Sequence, residues 1–527
     1  MELIEQIKKD LELNLTKLDN VPLENLKVFT EMKNMQICVD KILKHVKEKN
    51  KIRIIGDYDT DGILATTIMV QFFNDHPSLK DVDIDYFIPN RLVHGYGVSP
   101  LLVEMAKKDN IDLIVTVDNG ISAVPAIDKA NKLGIDVIIT DHHTIPQILP
   151  SIDTMINPLL DDELKWKSIS GATVAWCYCY AINKALPEKI EMGKYLDLAA
   201  LTVLSDVIPL NNVNRPLLEY GFSQIKKNNR TVYDKIFTKQ QRNKMKSNDI
   251  GFNLVPKINA TGRLADANLG VRLFLEEEIS DILAQIENIN EERKSMTSDQ
   301  LLLILDLAEE QNKKYNIIIV EHDNLHEGVV GILASRLCEI YKKPSIVLTK
   351  HHNELKGSAR SVGTISVYDL LFKESHLLTK FGGHAGAAGL GLSPNNLEEL
   401  RSNISKNLEE NNKPKDYLNQ DFSYNVDNLS KITLPLAKEL ESYEPYGSQF
   451  EKPKFIIDAK VVEILSNKDD KHYRCVIMDK MFNKSNIWFF HFVDDMNDYI
   501  NKDMTISIDV DTNYWKGVQL SLIGKFV

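Results

Sequence analysis

Hydrophobic positions in residues 51–156 switch repeatedly between two periods. Short, nearly unbroken apolar and β-branched runs at Lys51–Ile55, Val82–Ile88, Leu113–Val117, Val137–Thr140 and Thr154–Ile156 predict strands. Between them, Leu64–Asn74, Pro100–Lys108 and Val124–Leu133 carry helical spacing. That alternation predicts parallel βαβ units in a doubly wound α/β sheet. Runs such as Ile114-Val115-Thr116-Val117 predict strands buried on both faces. From about 160 to 250 the pattern is mainly helical. Residues 276–312 hold neither Gly nor Pro and predict one long helix joining two lobes. A second α/β unit follows, with strands at Asn316–Val320 and Ser345–Leu348 and helices near 329–340 and 396–409. Five β-rich runs close the chain: Phe455–Ile464, His472–Met478, Asn486–Phe492, Thr505–Val510 and Val518–Ile523. They predict a small barrel of the OB type.

At 527 residues the chain is too long for one core. The pattern divides it into an N-terminal helical segment at 1–50, a first α/β domain at 51–275, the connecting helix at 276–312, a second, smaller α/β domain at 313–415 and a barrel at 416–527. No apolar run approaches the ~20 residues that cross a bilayer, and residues 1–10 lack a signal-peptide apolar core. A cytoplasmic protein with no membrane partner is expected. Cys38, Cys177, Cys179, Cys338 and Cys475 are odd in number and form no C-x-x-C pair. Cys177 and Cys179 sit in an apolar run, which predicts buried thiols rather than ligands.

The net charge of −12 argues against a protein that coats nucleic acid non-specifically, since such binding draws on many Lys and Arg contacts. It leaves a nuclease open, because a two-metal site needs carboxylates. Residues 226–247 carry eight Lys or Arg against one acid, Asp234, and read equally well as a solvated helical face.

Ionisable residues recur just past the predicted strand ends: Asp57, Asp59 and Asp61 after the first strand, Asp118-Asn119-Gly120 after the third, and Asp141-His142-His143 after the fourth. Loops at the carboxyl edge of an open α/β sheet converge on one site. One such loop would be ordinary, since Asp at a strand end often caps a helix, and Asp61 is a candidate N-cap. Three in one sheet point to a metal centre. Crowded carboxylates repel one another unless a cation neutralises them, and carboxylates with imidazole suit Mn²⁺, Mg²⁺ or Zn²⁺. Asp206 follows the apolar run Leu201–Leu204; read as a buried, unpaired acid in a helix, it too suggests a ligand.

These residues resemble a known family. Asp57-Tyr58-Asp59-Thr60-Asp61-Gly62, Val117-Asp118-Asn119-Gly120, Asp141-His142-His143 and Ser205-Asp206 look like the four motifs of the DHH phosphoesterase superfamily. Gly382-Gly383-His384-Ala385-Gly386-Ala387-Ala388-Gly389 resembles its DHHA1 domain. Pro89-Asn90-Arg91 with Gly95-Tyr96-Gly97, the run from Pro256 to Arg263, the run from His326 to Ile332, and Gly357–Ser361 resemble the RecJ branch of single-stranded-DNA-specific exonucleases.

The resemblance implies a two-metal-ion 5′-to-3′ exonuclease of DNA repair or recombination, loaded with two Mn²⁺ or Mg²⁺. It implies metal ligation by Asp59, Asp61, Asp118, His142 and Asp206, with Asp57 either a nearby ligand or a hydrogen-bond acceptor behind the ligands. Asp118, His142 and His143 would be catalytic, Asp118 bridging the metals and His143 polarising the scissile phosphate or its leaving group. Arg91, Ser358 and Arg360 would receive the 5′ phosphate. His384 would reach the reacting phosphate, Asn259 and Arg263 would line the path of the next nucleotide, and His326 would join them in binding substrate. Partners would be single-stranded DNA and repair proteins such as a helicase or a single-strand-binding protein.

In the barrel the resemblance thins. Pro445-Tyr446-Gly447 and Pro453 fit, but Gln449, Phe450 and Glu451 stand where the family more often has Gly, Asn and Pro. Tyr473, Trp488, Phe490 and Trp515 could stack bases, though core packing is the commoner task. Asp469, Asp470, Asp494 and Asp495 weaken a claim to a strong grip on DNA. Two rivals are a DHH phosphodiesterase for short oligonucleotides or cyclic dinucleotides and a non-catalytic DNA-binding scaffold.

Overall fold

The computed structural model describes residues 2–91, 93–227, 229–411, 422–468, 472–490, 492, 495–514 and 517–527. Strands β1 (Ile52–Ile55), β2 (Ile84–Phe87), β3 (Leu113–Val117), β4 (Asp136–Thr140) and β5 (Met155–Ile156) form a parallel sheet in the order β2-β1-β3-β4-β5. Helix α1 (Thr60–Asp75) leaves β1 and packs with α2 (Gly171–Ala185) and α3 (Leu196–Ser205). That layer buries Ile52, Ile54, Val115 and Val117 from one face of the sheet. On the other face, Ile55, Ile114 and Ile139 pack with Leu102, Ala126 and Ile127. The sheet is thus covered on both sides, and β1 and β3 point their carboxyl ends at a common edge.

Helix α4 (Val255–Leu264) leads towards α5 (Ser280–Lys314), which packs along it and carries the chain to the second lobe. The long helix starts at Ser280 rather than 276, because Glu276 closes the preceding helix Asn268–Leu275. In the second lobe, β6 (Ile318–Glu321), helix α6 (Val330–Tyr341), β7 (Ser345–His351), β8 (Glu354–Arg360), β9 (Leu378–His384) and β10 (Ala387–Leu392) build a mixed sheet ordered β6-β7-β8-β10-β9. Strands β8–β10 escape the sequence reading. Their glycines, among them Gly357, Gly382, Gly383, Gly389 and Gly391, break the apolar alternation by which a strand is recognised.

The C-terminal unit holds β11 (Ser423–Asn425), β12 (Lys454–Lys468), β13 (His472–Asp479), β14 (Lys484–Phe489), β15 (Asp503–Asn513) and β16 (Gln519–Phe526). Pairing of β12 with both β13 and β15 closes a five-stranded barrel, with β11 added beside β12. Tyr473 and Phe489 point into its core. Trp488 stacks on Phe490 at 5.6 Å, and Phe490 is 45% exposed. Trp515, Asp469, Asp470 and Asp494 lie outside the described residues.

The barrel is seated on the first lobe through named contacts. Ser448 O accepts from Leu210 N–H at 2.9 Å. The buried Arg215 donates to Pro445 O and to Tyr443 O, and its guanidinium lies 4.8 Å from the Phe450 ring. Phe450, a departure from the family pattern, therefore has a local role. The basic run 226–247 is a solvated face only in part: Lys226, Lys227, Lys235 and Lys239 are exposed, whereas Arg230 pairs with Asp197, Arg242 with Asp234, Lys244 with Glu441 and Lys246 with Asp511. Its last two pairs tie the first lobe to the barrel unit. All five cysteines are buried and free.

Candidate active site

The loop after β1 turns sharply into α1. Asp59 is the N-cap of α1, its carboxylate accepting from Asp61 N–H and Gly62 N–H at 3.0 and 3.2 Å. Asp61, the candidate cap in the sequence, instead accepts from Gly171 N–H (2.7 Å) and Ala172 N–H (2.8 Å) at the start of α2. The positive end of α2 thereby fixes one acid of the cluster.

Asp118 follows β3 in the left-handed region, φ 60°, a strained placement for a residue with a side chain. Asn119 locks the turn: its side chain donates to Ile55 O and Val117 O and accepts from Val98 N–H. Gly171 is required beside it, since a Cβ there would stand 2.3 Å from Asp118 Oδ1.

Asp141 organises the two histidines. Its Oδ1 accepts from the backbone of His142 and His143 and meets His143 Nδ1 at 2.7 Å, while Oδ2 accepts from Ile121 N–H. His143 Nε2 lies 3.2 Å from Tyr96 Oη. The His384 ring from the second lobe stacks on His143 at 5.8 Å and 18°. Neither Asp141 nor Tyr96 was singled out from the sequence, although both lie inside the motifs. A role carried through a histidine leaves no spacing signal of its own.

Asp206 departs from its sequence reading. It is the residue that ends α3, not one within the helix, and its side chain is 36% exposed. Its Oδ2 stands 3.6 Å from His142 Nε2, which also lies 3.6 Å from Asp61 and 3.1 Å from Asp118.

Ligand atoms fall into two groups within 4.8 Å, Asp57–Asp59–Asp118 and Asp61–His142–Asp206, linked by a third, Asp118–His142–His143. Burial, then repulsion from Asp61 and Asp59, holds Asp118 well above the usual carboxylate range. Burial and Asp59 raise Asp57 likewise and push Asp61 to about 7; burial, Asp61 and Asp59 push Asp206 to about 8. Asp57 Oδ1 and Asp118 Oδ1 are buried without a donor. Such orphaned acceptors carry a high cost unless a cation fills the gap, so the donor set fits two divalent ions.

The histidines are driven apart. Burial and the neighbouring His143 lower His142 to about 3, the neutral state a metal ligand needs. Burial opposes charge on His143 as well, but Asp141 overrides it and lifts His143 to about 10.

A cavity of about 180 Å³ opens against the cluster, lined by Tyr58, Asp59, Arg91, Asn259, Arg263, Gly331, Ser358 and Arg360. Both lobes contribute, and Asp59 belongs to the cavity and the cluster alike. Arg360 donates to Ser358 Oγ at 2.7 Å; Arg91 lies 5.4 Å from the Tyr58 ring. Arg263 donates to Gly328 O at 3.2 Å, and Asn259 Oδ1 accepts from Thr60. Burial, then Arg91 and Arg360, depress Arg263 to about 10. His326 does not line the cavity: its Nδ1 accepts from Gly328 N–H, bracing the loop that Arg263 contacts.

Comparison with known proteins agrees with this division. The DHH family N-terminal domain matches residues 51–203, the DHHA1 domain 313–410 and the RecJ OB domain 426–523. The single-stranded-DNA-specific exonuclease RecJ of Escherichia coli is 33% identical over 454 residues, which cover 81% of this chain and 78% of the relative. The chain belongs to the RecJ family. The RecJ of Bacillus subtilis is 31% identical over 442 residues, and the chain spans only 55% of its length. Among solved structures, RecJ of Thermus thermophilus in complex with Mn²⁺ shares the fold, with a TM-score of 0.74, 24% identity, and coverage of 94% of this chain and 71% of that one. A crystal structure of exonuclease RecJ bound to manganese is 28% identical, with a TM-score of 0.60 over 73% of this chain and 96% of that one.

Proposed function

We propose that this RecJ-family chain is a two-metal-ion exonuclease that removes 5′ mononucleotides from single-stranded DNA in the 5′-to-3′ direction. The observation that carries the reading is the arginine cavity abutting the carboxylate cluster, with Asp59 shared between them. Arg91, Arg360 and Ser358 receive the terminal phosphate, for which the planar guanidinium fork is suited. That grip sets the register, so the next phosphodiester along the strand lies over the carboxylates. Asn259 and Arg263 border the path of the bound nucleotide.

Asp57, Asp59 and Asp118 would hold one cation, and Asp61, His142 and Asp206 the other, with Asp118 between them. Bound Mn²⁺ or Mg²⁺ supplies Lewis acidity at the phosphate and lowers the pKa of water. The chain's own contribution centres on His143. Held protonated and oriented by Asp141, it donates to the phosphate or to the departing 3′ oxygen. A water oxygen bonds to phosphorus as the bond between phosphorus and that 3′ oxygen breaks; the terminal nucleotide leaves with a 3′ hydroxyl that takes the His143 proton, and the shortened strand keeps a 5′ phosphate that can refill the cavity. His384, stacked on His143, brings the second lobe against the reacting phosphate.

A cyclic dinucleotide has no terminal phosphate to occupy the arginine cavity, and a scaffold has no use for an intact donor set. No helix among the described residues is long and apolar enough to cross a membrane. A cytoplasmic setting with a helicase or a single-strand-binding protein as partner follows from the proposed activity. The test uses end-labelled single-stranded DNA, duplex DNA and a dinucleotide, each with Mn²⁺ or Mg²⁺, resolved on a gel. Mononucleotide release from the 5′ label of the single strand is expected. Internal cuts, or release from the 3′ end, would overturn the reading.

A further inference from the structure

Helix α3 ends in a Schellman-type arrangement: Val207 N–H bonds Leu204 O at 3.3 Å, and Ile208 N–H bonds Val203 O at 2.9 Å. Such an ending needs a left-handed residue, and glycine is the usual choice. Here it is Val207, β-branched, at φ 53°. A Cβ in that conformation crowds the following carbonyl oxygen. Burial does not offset the cost, because Val207 is 68% exposed. The strained residue directly follows Asp206, and strain of this kind concentrates where a side chain has a task.

Its place along the cluster indicates the task. The arginine cavity meets the carboxylates at Asp59; from there they run through Asp118 and His142 to Asp206. Val207, next to Asp206, adjoins the carboxylate cluster but does not line the arginine cavity, which leaves it open to the strand beyond the scissile bond on the exonuclease reading. A second exposed apolar side chain is Phe252, 75% exposed, in the π-helical turn Ile250–Leu254, which packs on α3. π-helical turns are themselves frequent at functional sites.

We propose that Val207 is a substrate-contacting residue, its isopropyl group bearing on the sugar and base of the nucleotide 3′ to the scissile bond, with Phe252 as a neighbouring stacking surface. The inference rests on the exonuclease reading above. Val207→Gly removes both strain and contact, whereas Val207→Ala keeps the Cβ and removes most of the contact. Val207→Gly should raise the thermal midpoint by about 1–2 °C and raise KM for single-stranded DNA roughly five- to tenfold, the partial burial of one isopropyl group. In both variants kcat should hold, because the contact serves ground and transition states alike. Val207→Ala should show the KM rise without the gain in stability. The Mn²⁺-induced thermal shift should match wild type in both. An unchanged KM in an active, more stable Val207→Gly enzyme would overturn the inference alone. Loss of the Mn²⁺ shift would also overturn it, showing that Val207 merely shapes the Asp206 loop. A wild-type chain that releases no nucleotide would remove the exonuclease reading itself, and this inference with it.

Discussion

The two ends of the cleft are frustrated in opposite senses. At one end, Asp57, Asp61, Asp118 and Asp206 crowd together, and burial and mutual repulsion push each carboxyl upward. At the other, Arg91, Arg263 and Arg360 crowd together, and burial lowers Arg263 and Arg360. The opposing charges could have been paired with each other and were not; only Asp59 lies in both. A fold optimised for its own stability would not keep these groups apart. The arrangement is intelligible when each end awaits a ligand of opposite charge, cations at the first and a phosphate at the second.

The largest effect should come from breaking the acidic end at its centre. Asp118→Ala is expected to lower nucleotide release by more than the ~10⁴-fold upper range of a single acid–base group. It should also abolish the thermal stabilisation that Mn²⁺ gives by binding only the folded state. Activity above a tenth of wild type, with an unchanged circular dichroism spectrum, would remove the bridging role.

Breaking the basic end should act more selectively. Arg360→Ala should shrink the advantage of a 5′-phosphorylated over a 5′-hydroxyl substrate. A charge-assisted hydrogen bond of about 1.5–3 kcal/mol corresponds to roughly ten- to 150-fold in that ratio. A ratio equal to wild type would place the terminal phosphate elsewhere.

The smallest effect, and the one that sharpens the contrast without mutation, is on pH. Unfolded aspartates titrate near 3.8, but Asp61 does so at about 7 and Asp206 at about 8 in the fold. Between those values the native state binds protons that the unfolded chain has released, so metal-free stability falls as pH rises. His143, lifted from 6.5 to about 10, adds a loss of the same sign above pH 6.5. His142, lowered to about 3, works the opposite way only below 6.5. The metal-free protein should therefore melt at lower temperature at pH 8 than at pH 6.5, and saturating Mn²⁺ should flatten or reverse that trend. A metal-free midpoint that rises over this window would contradict the crowded, uncompensated acids.

Much of the acidic end was legible because its residues announce themselves. Asp57, Asp59, Asp61, Asp118 and His142 follow strand ends, and parallel strands of one sheet bring such ends together. What could not be read was who serves whom. Asp59 rather than Asp61 caps α1, because the choice depends on where α2 begins, more than a hundred residues later. Asp206 proved to end its helix rather than lie buried within it. The basic end depended on the motif resemblance. Ser358, Arg360 and His384 sit on β8 and β9, strands whose glycines hide their alternation, so composition and periodicity alone offered no strand to place them on. Phe450 and the lysines at 244 and 246 show the same limit, since their meaning lies in partners far along the chain.

The continuity of the apolar interior has a consequence for how the molecule comes apart. One cluster runs without interruption from Ile7 and Leu11 through Ile54, Leu64 and Val174 to Phe455, Ile487 and Ile508, whereas the lobe carrying His384 has interiors of its own. The barrel, though last in the chain, shares one apolar interior with the body that carries the acidic cluster. In a calorimeter it should melt together with that body in a single endotherm, leaving the lobe after α5 as the segment able to open independently. Hydrogen exchange would show the same partition, with slow amides shared by β3 and β12 and a separate protection level in β7. Reversible loosening would then be confined to the side of the cleft that carries Ser358, Arg360 and His384.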